Sequence, residues 1–206
     1  MNLRLIWAMS VLMGLLVAIG TVAAQRQPSR VDEVNLTSDS APGWLPSYSQ
    51  VRDVFKTAND FFASVDAGDY ERAYAMMAEP NRRALPMQQF VSRNQAFYAR
   101  SGTLKQRTIL KVTWTKDPPK GPFPGIFAAV DIASQYANVD RHCGFVVLYQ
   151  KTDKDRFEIM RQESNFIDNA TAQNIEQQKS REELDKLWAK LATNCPNYTA
   201  ISPKTQ

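Results

Sequence analysis

The stretch FYARSGTLKQRTILKVTWT, residues 97–115, decides the fold, because the spacing of apolar residues changes within it. Upstream of Gly102 the apolar residues recur at the spacing of an amphipathic helix. From residue 107 onward they alternate with polar residues, which predicts a half-buried strand. Its expected inner residues are Thr108, Leu110, Val112 and Trp114. Its expected outer residues are Arg107, Ile109, Lys111, Thr113 and Thr115.

Three helices are predicted before this change of period. The first carries a long apolar stripe, and either Ser47 or Ser49 is placed to cap its start. Asp69 is expected to cap a short second helix, which Pro80 stops. Pro86 suits the first turn of a third helix. These three helices supply the apolar faces that a sheet needs as cover.

Four strands are predicted after the change of period, of which the later three cover 126–136, 143–150 and 156–166. Short polar links join them, so neighbouring strands are expected to be antiparallel. The segment 171–192 reads as one polar helix with a narrow apolar seam. The fold class is therefore α+β: three N-terminal helices packed on a curved four-stranded antiparallel meander, plus a C-terminal helix.

A twisted sheet covered on one face by helices leaves a cone-shaped hollow, which is the default place for a ligand. The expected pocket-lining residues are Phe61, Phe62, Tyr74, Phe90, Phe97, Tyr98 and Trp114. The alternative is that these side chains fill the hollow as ordinary core, since protein interiors are close-packed.

The N-terminal segment 1–24 is predicted to be an export signal. Arg4 is its only charge, and LIWAMSVLMGLLVAIGTVAA at 5–24 is almost wholly apolar and ends in small residues. Twenty residues of helix also reach about 30 Å, so an uncleaved membrane anchor through 5–24 is the alternative. Either interpretation places the protein in the periplasm or elsewhere outside the cytoplasm.

The remaining boundaries follow from composition. A polar segment with several prolines, 25–47, is interpreted as a linker, with Trp44, Leu45 and Tyr48 beginning to dock onto the domain. The folded domain is expected over 48–168. A C-terminal helix and tail follow over 169–206.

The two cysteines of this chain, Cys143 and Cys195, are expected to form a structural disulfide, because exported proteins meet an oxidising compartment. The alternative is a reactive thiol. That hypothesis lacks a base, since the lone His142 is the strand neighbour of Cys143 and points to the opposite face.

Composition argues against several classes of ligand. One histidine and two cysteines are too few for a closed His/Cys metal site, so neither a metal nor another cofactor is expected. A net charge of +4 is too small to indicate nucleic-acid binding. The basic stretch 100–120 is interpreted as protection of an exposed strand edge, with contact to anionic lipid or an acidic partner as the alternative.

Four residues of the predicted strands are weak catalytic candidates, since a buried acid, tyrosine or histidine can act in acid–base chemistry. They are Asp131, Tyr136, Asp140 and His142. The simpler interpretation places Asp131 on the outer face of the sheet or in an ion pair. It places Asp140 and His142 at a solvated hairpin turn.

Three stretches together resemble a known family: FFASVDAGDYERAY at 61–74, PFPGIFAAVDI at 122–132 and RFEIMRQESNFID at 156–168. In their order and spacing they are similar to the domain-of-unknown-function family 4019, usually placed in the nuclear-transport-factor-2-like (NTF2-like), or cystatin-like, superfamily. The resemblance covers roughly residues 54–168. It implies that fold and an extracytoplasmic bacterial setting, and it carries over no activity.

Three hypotheses for function follow. The leading one is a non-enzymatic exported module that binds a small apolar molecule or a protein partner through its cone or sheet face. The second is a small isomerase-, dehydratase- or hydrolase-like enzyme with a carboxylate in the cone. The third is an assembly subunit that forms a homodimer through the open face of the sheet.

Overall fold

The computed structural model describes residues 34–195, which form an α+β fold with six α-helices and five β-strands. The helices are α1 (Tyr48–Asp66), α2 (Tyr70–Ala75), α3 (Glu79–Ala84), α4 (Met87–Ser101), α5 (Asn169–Gln178) and α6 (Arg181–Leu191). The strands are β1 (Asn35–Leu36), β2 (Leu104–Lys116), β3 (Ile126–Tyr136), β4 (Val139–Gln150) and β5 (Glu158–Asp168). The expected signal or anchor at 1–24 lies outside the described residues.

The sheet has the strand order β1-β2-β3-β4-β5. Strands β2 to β5 form the antiparallel meander that the short links predicted. The short β1 pairs in parallel with β2, so the sheet is mixed and has one strand more than expected. A strand of two residues has no period, which is why alternation could not reveal it.

Part of the segment interpreted as a linker therefore belongs to the sheet edge. The Thr37 hydroxyl bonds the Thr115 hydroxyl at 2.8 Å, and Trp44 packs edge-on against Trp114 with ring centroids 6.4 Å apart. Tyr48, which was expected to dock, is 85% exposed.

Local capping explains where α1 and α2 begin. Ser47 and Gln50 form a reciprocal capping box at the start of α1. Asp69 accepts a hydrogen bond from the backbone N–H of Arg72 and caps α2. Between the two helices Gly68 has φ 74°, a left-handed conformation that glycine adopts without steric cost.

The helix count differs from the prediction at two places. Pro80 does not stop α2, which has already ended at Ala75; it lies in the first turn of the additional helix α3, where its missing N–H costs nothing. The single C-terminal helix is divided into α5 and α6. Ser180 caps the second by accepting from the Glu183 N–H.

The sheet is covered by helices on both faces. On the inner face, α1, α2 and α4 bury a core with β2 to β5 that includes Phe61, Phe90 and Val146. On the outer face, α5 and α6 pack a smaller cluster around Cys143 and Leu184. The C-terminal helices are thus a third layer.

An irregularity in β2 determines which side chains face inward. Ile109 pairs with Ile132 and Lys111 pairs with Asp131, so Leu110 is an extra residue that the partner strand does not match. The extra residue reverses the alternation. Arg107 and Ile109, expected on the outer face, lie on the inner face, because an added residue shifts every earlier side chain to the other side.

Candidate functional site

A cavity of about 430 Å³ lies between the inner face of the sheet and the helices α1, α3 and α4. Its aromatic and aliphatic walls include Phe62, Val65, Met77, Leu85, Phe90, Phe97 and Ile132. Its polar lining includes Asn81, Arg93, Asn94, Tyr98, Arg107, Tyr136, His142, Gln162 and Ser164. This volume, and this mixture of apolar and polar lining residues, are typical of sites that bind small molecules.

The cavity has a buried floor and an exposed rim. Ile132, Tyr136 and His142 are buried and belong to the floor. Arg93 on α4 is exposed, as is Ser164 on β5, and these belong to the rim. The opening therefore lies between α4 and the edge strand β5.

An ion pair between α1 and β2 lies beside the floor. Asp66, the last residue of α1, accepts from both terminal nitrogens of Arg107, with Nη1 to Oδ2 at 2.5 Å and Nη2 to Oδ1 at 3.0 Å. Tyr98 on α4 donates its hydroxyl hydrogen to Asp66 Oδ1. The carboxylate is thereby satisfied by two partners and its charge is compensated.

The Arg107 guanidinium also holds the floor together. Its Nη2 donates to the Tyr136 hydroxyl oxygen at 3.0 Å, and its Nε donates to Ser134 Oγ at 3.2 Å. Its plane lies over the Phe62 ring, 4.4 Å from the centroid. The Arg107 side chain of β2 thus contacts both α1 and β3.

Two members of the network, Tyr98 and Arg107, keep fixed protonation states. Burial and the hydrogen bond to Asp66 raise the pKa of Tyr98 far above its usual value, so the phenol stays a neutral donor. Burial by itself lowers the pKa of Arg107, but the bonds to Asp66 outweigh it and raise the pKa overall. Tyr98 and Arg107 therefore keep their charge states near neutral pH.

His142 lies on the floor and is only 3% exposed. Its ring packs against Tyr136 and Phe97, with centroids 5.4 and 6.0 Å away, and its Nδ1 has no hydrogen-bond partner within residues 34–195. Burial, and secondarily the positive charge of Arg107, lower the pKa of His142 to about 3. The imidazole is therefore neutral at physiological pH.

The surroundings of the cavity floor constrain the groups that could act in acid–base chemistry. The Asp66 carboxylate beside the floor is held by an arginine and a tyrosine, and His142 resists protonation. Within residues 34–195 no three His, Cys, Asp or Glu side chains are grouped so that they could hold a metal ion. The cavity therefore offers an aromatic wall together with neutral and charged hydrogen-bonding groups.

Comparison with known proteins gives one match. Residues 57–160, half of the chain, match the family described as "Protein of unknown function (DUF4019)". The chain belongs to the DUF4019 family. No curated protein and no solved structure matches it.

The four catalytic candidates in this DUF4019 protein do not lie together. Tyr136 and His142 line the cavity. Asp131 lies on the outer face, 8% exposed and opposite Lys111 of β2. Asp140 pairs with Arg141 and is not part of the lining.

The expectation of a solvated turn at His142 is wrong. The hairpin between β3 and β4 has only two residues, 137 and 138, and β4 begins at Val139 rather than at Cys143. His142 is therefore well inside the sheet, opposite Phe166 of β5.

The aromatic candidates of the DUF4019 protein divide into two groups. Phe62, Phe90, Phe97 and Tyr98 line the cavity. Phe61, Tyr74 and Trp114 do not: Phe61 and Trp114 are buried in the main core, and the Tyr74 hydroxyl donates to the backbone oxygen of Arg82 at 3.0 Å. Some of the predicted aromatic residues therefore line the cavity, and others are part of the packed core.

Two residues that organise the site, Asp66 and Arg107, were not among the candidates. Asp66 sits in the FFASVDAGDYERAY stretch that carries the family resemblance, directly after the apolar stripe of α1. From sequence alone, an acidic residue at that position is interpreted as the polar end of a helix. Arg107 was assigned to the wrong face because of the β2 irregularity.

The predicted disulfide is confirmed. Cys143 of β4 and Cys195 are joined, with their Cα atoms 6.1 Å apart, and both are buried. The bond fixes the end of the α5–α6 segment to the outer face of the sheet.

Among residues 34–195, none of the helices combines the length and the apolar character needed to span a bilayer.

The stability of this DUF4019 fold is expected to decrease as the pH falls from about 6.5 towards 3. In that range the unfolded histidine, with its usual pKa of 6.5, binds a proton that folded His142 does not. The unfolded state then holds more protons, and acid favours it by about 1.4 kcal/mol per pH unit between roughly pH 6 and 4.

Urea unfolding of the wild type and of His142→Phe across this range checks the expectation. Because the chain has a single histidine, the difference between the two proteins isolates its contribution. The same pH dependence in both proteins would show that folded His142 titrates normally.

Proposed function

We propose that this protein is a non-enzymatic binding module that encloses a small, mainly apolar molecule between α4 and the inner face of the sheet. The observation that carries the proposal is the cavity of about 430 Å³ with a wall of aromatic side chains. Its volume falls in the range of small-molecule sites, and an apolar body gains free energy by leaving water for such a wall.

Several features support binding without turnover. Phe90, Phe97 and Phe62 offer ring faces and edges, while Tyr136 and His142 add neutral polar groups that can orient a ligand. The ion pair of Asp66 and Arg107 is internally satisfied, so it serves as support for the floor. A neutral His142 with a pKa of about 3 is a weak base.

The order of elements supports an NTF2-like architecture within this proposal. Helices α1 to α4 precede the strands β2 to β5 and cover one face of the meander, and the cavity lies between the two layers. This is the arrangement that the family resemblance implied.

We also infer that the protein works outside the cytoplasm. The buried bond between Cys143 and Cys195 supports this, because structural disulfides persist in oxidising compartments. The apolar segment at 5–24 supports it as an export signal.

Binding of the neutral fluorescent probe 1-N-phenylnaphthylamine tests the proposed function. We expect saturable fluorescence enhancement in the wild type, and an affinity at least about tenfold lower in Ser164→Trp, whose indole occupies the opening. Ser164 is an exposed rim residue of β5, so the core is left intact.

The matched control is Gln135→Trp, which places the same indole at an exposed strand position outside the cavity lining. It should bind the probe as the wild type does. Equal probe binding by the wild type and Ser164→Trp, or no saturable binding at all, would refute the proposal.

A further inference from the structure

One cation at the rim, Arg93, has no partner in the part of the chain that the structure describes. Arg93 lies three residues after Phe90 and four before Phe97 on α4, so it is a surface neighbour of two side chains of the aromatic wall. Its guanidinium is exposed, and it forms no ion pair or hydrogen bond with any residue between 34 and 195.

The other charged side chains that line the cavity form ion pairs. Arg107 is paired with Asp66, and Arg161 is paired with Glu163. The cavity together with these partners therefore carries a net charge of about +1, which comes from Arg93.

The floor, by contrast, is unsuitable for a further, unpaired charge. Burial there lowers the pKa of His142 to about 3, which shows how strongly this environment resists a cation. Burying an unpaired anion there would also cost free energy, because the anion loses its hydration. The amides of Asn81 and Gln162 and the hydroxyl of Ser164 line the same cavity as Arg93 and offer neutral donors.

From this division we infer the class of ligand: a small anionic amphiphile, whose apolar body lies against the aromatic wall and whose acidic group lies at the rim beside Arg93. The inference rests on the proposed function and adds the sign and position of the head group. A single-chain carboxylate is the simplest molecule of this class.

Three probes that share a ten-carbon alkyl chain and differ in the charge of the head group test the inference: decanoate, decanol and decyltrimethylammonium. Each is used below its micelle-forming concentration, as a competitor of 1-N-phenylnaphthylamine at neutral pH and low salt. We expect decanoate to bind about threefold more tightly than decanol, and the cationic probe to bind most weakly. About 1 M salt should remove most of this preference, because it shortens the Debye length to about 3 Å.

Arg93→Gln should bind decanoate and decanol equally, with decanol affinity unchanged. Arg72→Gln is the matched control, since Arg72 is an exposed arginine on α2 outside the cavity lining; it should keep the wild-type preference.

The outcomes separate this inference from the function on which it rests. Equal binding of decanoate and decanol by the wild type, or a preference that survives in Arg93→Gln, overturns the anionic head group and leaves the apolar site standing. Failure of all three probes to compete, while 1-N-phenylnaphthylamine still binds saturably, overturns the inferred ligand class alone. Absence of saturable 1-N-phenylnaphthylamine binding overturns both.

Discussion

Replacing Arg107 by methionine is expected to lower the free energy of unfolding by about 3 kcal/mol. The substitution keeps an unbranched apolar stem but leaves the Asp66 carboxylate largely buried with only the Tyr98 hydroxyl as partner. It also removes the donors to Tyr136 and Ser134. Urea unfolding at neutral pH measures the loss.

A second variant distinguishes a lost ion pair from lost packing. Arg107→Met combined with Asp66→Leu removes both charges and should recover most of the stability, because a buried pair costs most when one partner is removed. Arg72→Met, at an exposed site, should change stability by less than about 0.5 kcal/mol. If Arg107→Met alone were as stable as the wild type, this network would not support the floor.

Removing the disulfide is expected to cost about 4 kcal/mol. Cys143 and Cys195 are 52 residues apart, and a crosslink over such a loop restricts the unfolded chain substantially. The variant is Cys143→Ala with Cys195→Ala, which avoids a free thiol. Urea unfolding of the two proteins under non-reducing conditions gives the difference.

The loss should also have a local signature. Without the bond, α6 is held on the outer face only by the packing of Leu184 and Trp188 and by the ion pair of Asp185 with Arg141 of β4. Limited proteolysis should therefore cut within α6 first. Leu187→Ala serves as the control, because Leu187 is an exposed residue of the same helix. Unchanged stability and proteolysis would contradict the structural role of the bond.

Periodicity was sufficient for the long elements of the fold. The stripe of α1 and the alternation of β3 each extend over enough residues for the period to be visible, and both bury the faces expected: Val54 and Phe61 in α1, Val130 and Ile132 in β3. The caps at Ser47 and Asp69 follow from local chemistry.

Features that depend on distant pairing could not be predicted in this way. β1 gains its hydrogen bonds only from β2, and the extra residue Leu110 is visible only against β3. That one residue moved Arg107 to the inner face, where it meets Asp66, 41 positions away. The aromatic wall could therefore be predicted in part from sequence, and the ion pair beneath it could not.

The most direct test of the central claim, that a ligand enters the cavity between α4 and the sheet, is the NMR signal of the imidazole of His142. The chain has one histidine, so its ring Cε1–H gives one resonance from the cavity floor. On titration with 1-N-phenylnaphthylamine we predict that this resonance shifts with the same midpoint as the fluorescence, and that it stays fixed in Ser164→Trp. Saturable fluorescence with an unmoved wild-type resonance would place the probe elsewhere and contradict the account.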